Sequence, residues 1–189
     1  MINVFHAGYE LIMRPDLHRG RKNADFGQGF YVTKDYDFAT RWAREKSGED
    51  VILNTYELDE SGLKIKYLDR DEEWFRYIFS NRRVKPDEFS EYDVIVGPIA
   101  NDTIFNTLGI MTSGYLSDEE ALKLLCVGPM YQQVVLKSPA AVDNLHFVSA
   151  EKRLSESIKD NKEILAKEEE SYLNEVAKVM QGFDREDKR

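Results

Sequence analysis

A chain of 189 residues with 42% hydrophobic and 12% aromatic content can bury one core and carry an appendage, which excludes a wholly disordered protein. Its 35 acidic against 26 basic residues give a net charge of −9, which argues against a protein that coats a phosphate backbone through its overall field. No apolar run reaches the roughly 20 residues that span a bilayer, no signal-peptide layout opens the chain, and one cysteine, Cys126, cannot close an internal disulfide; a cytoplasmic protein with no membrane partner is expected.

In chain order, Asn3 to His6 reads as a short strand with His6 at its end, and Tyr9 to Met13 as a helical turn stopped by Pro15. Residues 14 to 25 lack apolar periodicity and form a loop carrying Arg14, His18, Arg19, Arg21 and Lys22. Phe26 to Thr33 reads as a turn running into a strand, because Gly27 and Gly29 permit backbone angles that other residues resist and Phe-Tyr-Val-Thr favours a strand. Asp35 to Lys46 follows as a helix with Phe38, Ala39 and Trp42 on one face.

Val51 to Leu58 and Leu63 to Leu68 resemble two strands joined in hairpin fashion by Asp59 to Gly62. Asp71 to Phe79 is helical, with Trp74, Phe75 and Ile78 on its core side. Tyr92 to Ala100 reads as a buried strand, and Asn101 to Leu108 as a helix with an N-cap. Asp118 to Cys126 is another helix, stopped by Gly128-Pro129, whose run of Ala121, Leu122, Leu124 and Leu125 predicts a buried, inert Cys126 thiol. Tyr131 to Lys137 carries a strong strand signal with Gln132 and Gln133 at its entrance, and Asn144 to Val148 is expected to be the last strand.

From Ser149 the composition turns charged and almost free of glycine, so the chain divides into a domain over residues 1–149 and a helical tail over 150–189. In the tail Ile158, Leu165, Tyr172 and Val179 recur every seventh residue, with Leu154 and Val176 on the same side. Fewer than four heptads leaves two readings open, a helix folded back on its own domain and an arm that pairs with a partner helix. Two basic clusters, the loop of Arg14 to Lys22 and the knot of Arg82, Arg83 and Lys85, likewise read either as solvated surface or as a local grip on phosphates.

Few catalytic sets are on offer. His6, His18 and His146 have no cysteines or carboxylates at ligand spacing, so no metal site is expected. No elbow motif marks a serine or cysteine nucleophile. Phe5-His6-Ala7-Gly8, then Gly27-Gln28-Gly29-Phe30-Tyr31-Val32-Thr33, then an aromatic at Trp42 and a late strand opening with Gln133, together resemble the ADP-ribosyltransferase superfamily. The similarity is to its histidine-tyrosine branch, that of diphtheria toxin and the poly-ADP-ribose polymerases, and to an uncharacterised bacterial subgroup with a stretch like Tyr92 to Asp102. It covers roughly residues 3 to 148.

The resemblance implies an α+β domain on a split, mostly antiparallel sheet with flanking helices, an NAD cleft between its halves and a C-terminal helical arm. It implies that His6 bonds the adenosine-side ribose, that the backbone of Ala7, beside Gly8, pairs with the carboxamide, and that Tyr31 and Trp42 stack on the nicotinamide. Arg14 and Arg19, in what corresponds to the donor loop, would hold the pyrophosphate. Gln133 stands where the family carries a glutamate, and a neutral amide can orient a ribose hydroxyl without the charge that strengthens such a bond.

The expected activity is that of a mono-ADP-ribosyltransferase, a glycosyltransferase-type enzyme using NAD as co-substrate on a protein or nucleic-acid acceptor, in the manner of a bacterial toxin or effector. The catalytic set would be His6, Tyr31 and Gln133. Two alternatives stand beside it: a non-catalytic nucleotide-binding module, and an interaction protein of a toxin-antitoxin pair acting through the C-terminal helix.

Overall fold

The computed structural model describes all residues except 43–49, 101–115, 129, 154 and 187–189. In chain order its elements are β1 (Ile2–Gly8), a single 3-10 turn (Leu17–Arg19), β2 (Phe30–Val32), α1 (Tyr36–Trp42), β3 (Val51–Leu58), β4 (Ile65–Tyr67), α2 (Glu72–Arg82), β5 (Val94–Pro98), α3 (Asp118–Leu125), β6 (Gln132–Leu136), α4 (Pro139–Asp143), β7 (Leu145–Arg153) and α5 (Ser155–Glu186). The strands divide into two sheets, β1-β3-β7 and β2-β6-β5-β4. Every strand pairing within them is antiparallel except that of β4 with β5. An α+β protein with antiparallel sheets and a long C-terminal helix is thus what the chain forms.

The unbroken apolar runs of β5 and β6 reflect burial on both faces, which removes the usual alternation of strand residues. Val94, Val96, Val134 and Leu136 turn toward Val4, Tyr56 and Leu58 of the three-stranded sheet. Ile95 and Val135 turn the other way, against Phe26 and the Trp74, Tyr77 and Ile78 face of α2. The four-stranded sheet is therefore the middle layer of three. Asp71 starts α2 by accepting a hydrogen bond from the Trp74 N–H, and the buried indole donates to the Pro98 carbonyl at 2.8 Å, which satisfies its one donor.

The two sheets are joined directly at one place. Phe5 of β1 and Thr33, just past β2, form an isolated antiparallel bridge with N–H to O distances of 2.8 and 3.0 Å. Beyond this bridge the two strands no longer pair as a ladder, and a cleft opens between the halves.

Several expectations need correction. Tyr9 to Met13 is not a helical turn but an irregular segment tied to β3: buried Asn54 accepts from the Ile12 N–H and donates to the Glu10 carbonyl, and the Tyr56 hydroxyl donates to the Ile12 carbonyl. Those tertiary bonds take the backbone groups that a helical turn would use. Asp59 to Gly62 is not a hairpin, because β3 and β4 lie in different sheets; the connection crosses between layers, with Gly62 at φ +77° and Asn144 holding the Asp59 and Ser61 carbonyls.

The composition change at Ser149 precedes the structural one, since β7 pairs with β3 as far as Arg153. An edge strand shows much of its surface to water and so tolerates Glu151, Lys152 and Arg153. Cys126 is exposed rather than buried, because it caps α3 where the helix ends, past the buried Leu124. The helix read from Asn101 lies outside the described residues.

The C-terminal helix folds back on its own domain. α5 packs against α1 and α3, Phe183 is buried, and Tyr131 donates to Glu168 at 3.2 Å. No described helix is long and apolar enough to cross a membrane.

Candidate functional site

The site grows from the glycine turn. Gly27 adopts φ +72°, a region closed to most side chains, and a Cβ on it would meet Asn81 and the Lys137 ammonium at 3.0 Å. Gly29 runs so close to β6 that a Cβ would come within 2.6 Å of the Leu136 carbonyl. Both glycines are therefore used, one for conformation and one for approach. Between them Gln28 reaches outward and donates to the carbonyls of His18 and Gly20, which docks the basic loop on the turn.

The turn delivers Tyr31. Its hydroxyl donates to the Gly27 carbonyl at 2.7 Å and accepts from the Phe26 N–H at 2.9 Å. Burial, first of all, pushes this phenol's pKa far up, so it stays protonated and acts as a fixed wall rather than as a base. Behind it the Lys137 ammonium bonds the Phe26 carbonyl and pairs with Asp87 at 2.7 Å, and Asp87 also accepts from Tyr77.

His6 sits one residue past the bridge. Its Nδ1 lies 2.8 Å from the Tyr31 carbonyl, an acceptor, so Nδ1 carries the hydrogen. Burial holds the imidazole below its usual pKa against the opposing pull of that carbonyl, which favours the neutral ring. The other nitrogen, Nε2, is then an acceptor.

Gln133 enters from β6, paired in register with Gly97 of β5. It is 8% exposed, and its Nε2 has no hydrogen-bond partner among the described residues. A buried amide left unpaired is costly, and it marks where a ligand acceptor fits.

These residues share one cleft of about 300 Å³ at the divergence of the sheets, a size at the small end of ligand pockets. His6, Ala7, Tyr31 and Gln133 line it together with Arg21, Asp25, Thr33, Phe38 and Arg82. Of the other expected residues, Gly8 ends β1 outside the lining. Arg14 pairs with Asp143 at 2.5 Å and Arg19 with Glu10 at 2.7 Å; neither lines the cleft. The loop's contribution to the wall is Arg21 instead. Trp42 ends α1, and its side chain lies outside the described residues. Among the described residues no three His, Cys, Asp or Glu side chains gather as a metal ion would require.

Asp25 is a site residue that the sequence does not single out, and Arg82, read there only as part of a basic knot, is its partner. The Arg82 Nε and Nη2 lie 2.9 and 2.6 Å from Asp25 Oδ1, while Oδ2 accepts from the Ala100 N–H. The pair is nearly buried, at 11% and 16% exposed. The one available signal is an aspartate opening a glycine turn with no cation beside it, which implies a distant partner.

No curated protein and no solved structure matches the chain significantly. A family model described as a protein of unknown function, DUF3990, matches residues 2–147, and the chain belongs to that family.

Proposed function

We propose that the cleft binds NAD and that the protein is a mono-ADP-ribosyltransferase. The observation that carries this reading is convergence: His6, Ala7, Tyr31 and Gln133, drawn from three strands far apart in sequence, line one cleft at the split between two sheets. In the reaction the bond between the nicotinamide nitrogen and ribose C1′ breaks, its electron pair stays on nicotinamide, an acceptor nucleophile bonds C1′, and the acceptor's proton leaves to solvent or a base. Positive charge builds on the ribose as that bond breaks, as in glycoside hydrolysis.

Each residue has a task under this proposal. Tyr31 supplies a fixed aromatic face for the cationic ring. His6 Nε2 accepts from a ribose hydroxyl, the Ala7 backbone meets the carboxamide, and Arg21 is the loop cation placed to meet the diphosphate. Gln133 orients a ribose oxygen without a charge to steady the cation, which favours slow single transfer over chain building. The same neutral amide supports a second reading, a module that holds NAD without turning it over.

Calorimetry with NAD and a nicotinamide-release assay test both. Binding with release supports the transferase, binding alone supports the module, and absence of binding rejects the site. Gln133→Glu sharpens the choice: nicotinamide release rising about tenfold, in line with a charged hydrogen bond replacing a neutral one, means a complete site held slow by an amide.

A further inference from the structure

We infer that the C-terminal end of α2, beside the cleft, is a docking surface for single-stranded nucleic acid, centred on Arg83, Lys85 and Phe79. Its role as acceptor site rests on the transferase reading, whereas the binding itself does not. Asp25 ties the end of the first basic cluster of the sequence to the start of the second. This residue follows Arg21 and Lys22 by a few positions, and it is fastened to α2 by Arg82 on its carboxylate and by Asn81 on its carbonyl. Arg21 and Arg82 line the cleft itself, and Arg83 and Lys85 lie one and three residues beyond Arg82.

Several cations of this acidic chain are paired where they stand: Arg14, Arg19, Lys66, Arg76, Arg82, Lys137 and Lys152 each face a carboxylate. Arg21, Lys22, Arg83 and Lys85 differ. Among the described residues none of them has a carboxylate within 4.0 Å; Arg21 lines the cleft with Lys22 next to it in sequence, and Arg83 and Lys85 follow Arg82, which also lines it.

Their setting is aromatic. The Arg83 guanidinium lies 3.7 Å from the Phe79 ring centroid and the Lys85 ammonium 6.0 Å from it, and Phe75 adjoins Phe79 at 6.0 Å. Both phenylalanines are half-buried. Between the two cations Val84 takes a left-handed backbone, φ 54°, and is 60% exposed. Arg83, Val84 and Lys85 are all exposed where the chain leaves α2. Cations beside aromatic faces are how single strands are held, with phosphates on the charges and bases on the rings. A duplex would use the charges but not the rings.

Fluorescence anisotropy with a labelled single-stranded oligonucleotide of about a dozen nucleotides tests the surface on the full chain. The double variant Arg83→Ala, Lys85→Ala should weaken binding about tenfold or more and flatten the salt dependence by about 0.7 in log-log slope for each phosphate no longer held. Phe79→Leu keeps an apolar side chain on α2, and should weaken binding without changing that slope. Lys167→Ala, Lys178→Ala, on the exposed face of α5, should change neither. Absence of binding, affinity indifferent to Arg83 and Lys85, equal affinity for a duplex, or preference for anionic phosphatidylserine vesicles would each overturn the proposal. NAD calorimetry on the same samples separates the readings: NAD binding without oligonucleotide binding rejects this surface alone, and oligonucleotide binding without NAD binding rejects the transferase alone.

Discussion

The glycine turn and the basic loop beside it are fastened by opposite means. The glycine turn and Tyr31 are held by charges taken out of water, Asp25 with Arg82 and Lys137 with Asp87, the latter lysine being 8% exposed. The basic loop docked on that turn is held by ion pairs in water, Arg14 with Asp143 at 73% and 59% exposed and Arg19 with Glu10 at 66% and 57%. Buried pairs are costly to break because the surviving charge is stranded, while exposed pairs contribute little and are screened by salt. The turn is therefore anchored by buried charge, and the loop, docked through Gln28, by exposed pairs that contribute little.

The largest test of this contrast is Arg82→Ala. It strands Asp25 with the Ala100 N–H as its remaining backbone partner, and should lower unfolding stability by about 3 kcal/mol in urea titration. A decrease no bigger than that of an exposed arginine would show that the turn is not anchored there. Gly29→Ala should follow at about 2 kcal/mol, since its Cβ meets the Leu136 carbonyl and Val135 rather than a yielding side chain. NAD binding, if it uses Tyr31, should fall with both variants.

A gentler probe is pH. The folded-state pKa of His6 is depressed by burial, so in acid the unfolded chain takes up a proton more readily than the folded one. Stability from His6 is present above the unfolded value near 6.5 and is lost as pH falls through the folded value. His6→Gln should remove that part of the slope between neutral and mildly acidic pH in parallel urea titrations. An unchanged slope would mean the ring titrates as if exposed.

Val84→Gly should raise stability by about 0.5 kcal/mol, because relief of a left-handed valine outweighs the extra freedom glycine gives the unfolded chain. At the bottom of the scale, Arg14→Ala and Arg19→Ala should leave the thermal midpoint where it was at physiological salt. A clear drop in midpoint would make these exposed ion pairs structural, and the contrast between turn and loop would fail.

Legibility follows the same divide. The apolar runs at Val51 to Leu58, Val94 to Pro98 and Gln132 to Leu136 are readable as strands because burial on a sheet demands β-branched and aromatic side chains whatever the partner strand. The glycine turn is readable because φ +72° and a backbone approach at 2.6 Å leave few substitutes for glycine. Tyr9 to Met13 misleads toward a helix, since what decides its path is Asn54, more than forty residues away. Cys126 misleads because helical periodicity gives the face of a residue but not whether the helix has already ended.

The sequence by itself determined the α+β class, most of the strands, the turn that delivers Tyr31, and Gln133 as a polar group near the start of a strand; the strand read to end at His6 runs on to Gly8. Those are local matters of backbone angle, pattern and propensity. The tertiary structure alone decided that the sheets diverge beside the Phe5 and Thr33 bridge, that Arg21 rather than Arg14 or Arg19 lines the cleft, and that Asp25 binds Arg82. A charge has no preferred partner until the fold brings one within reach and removes the water between them.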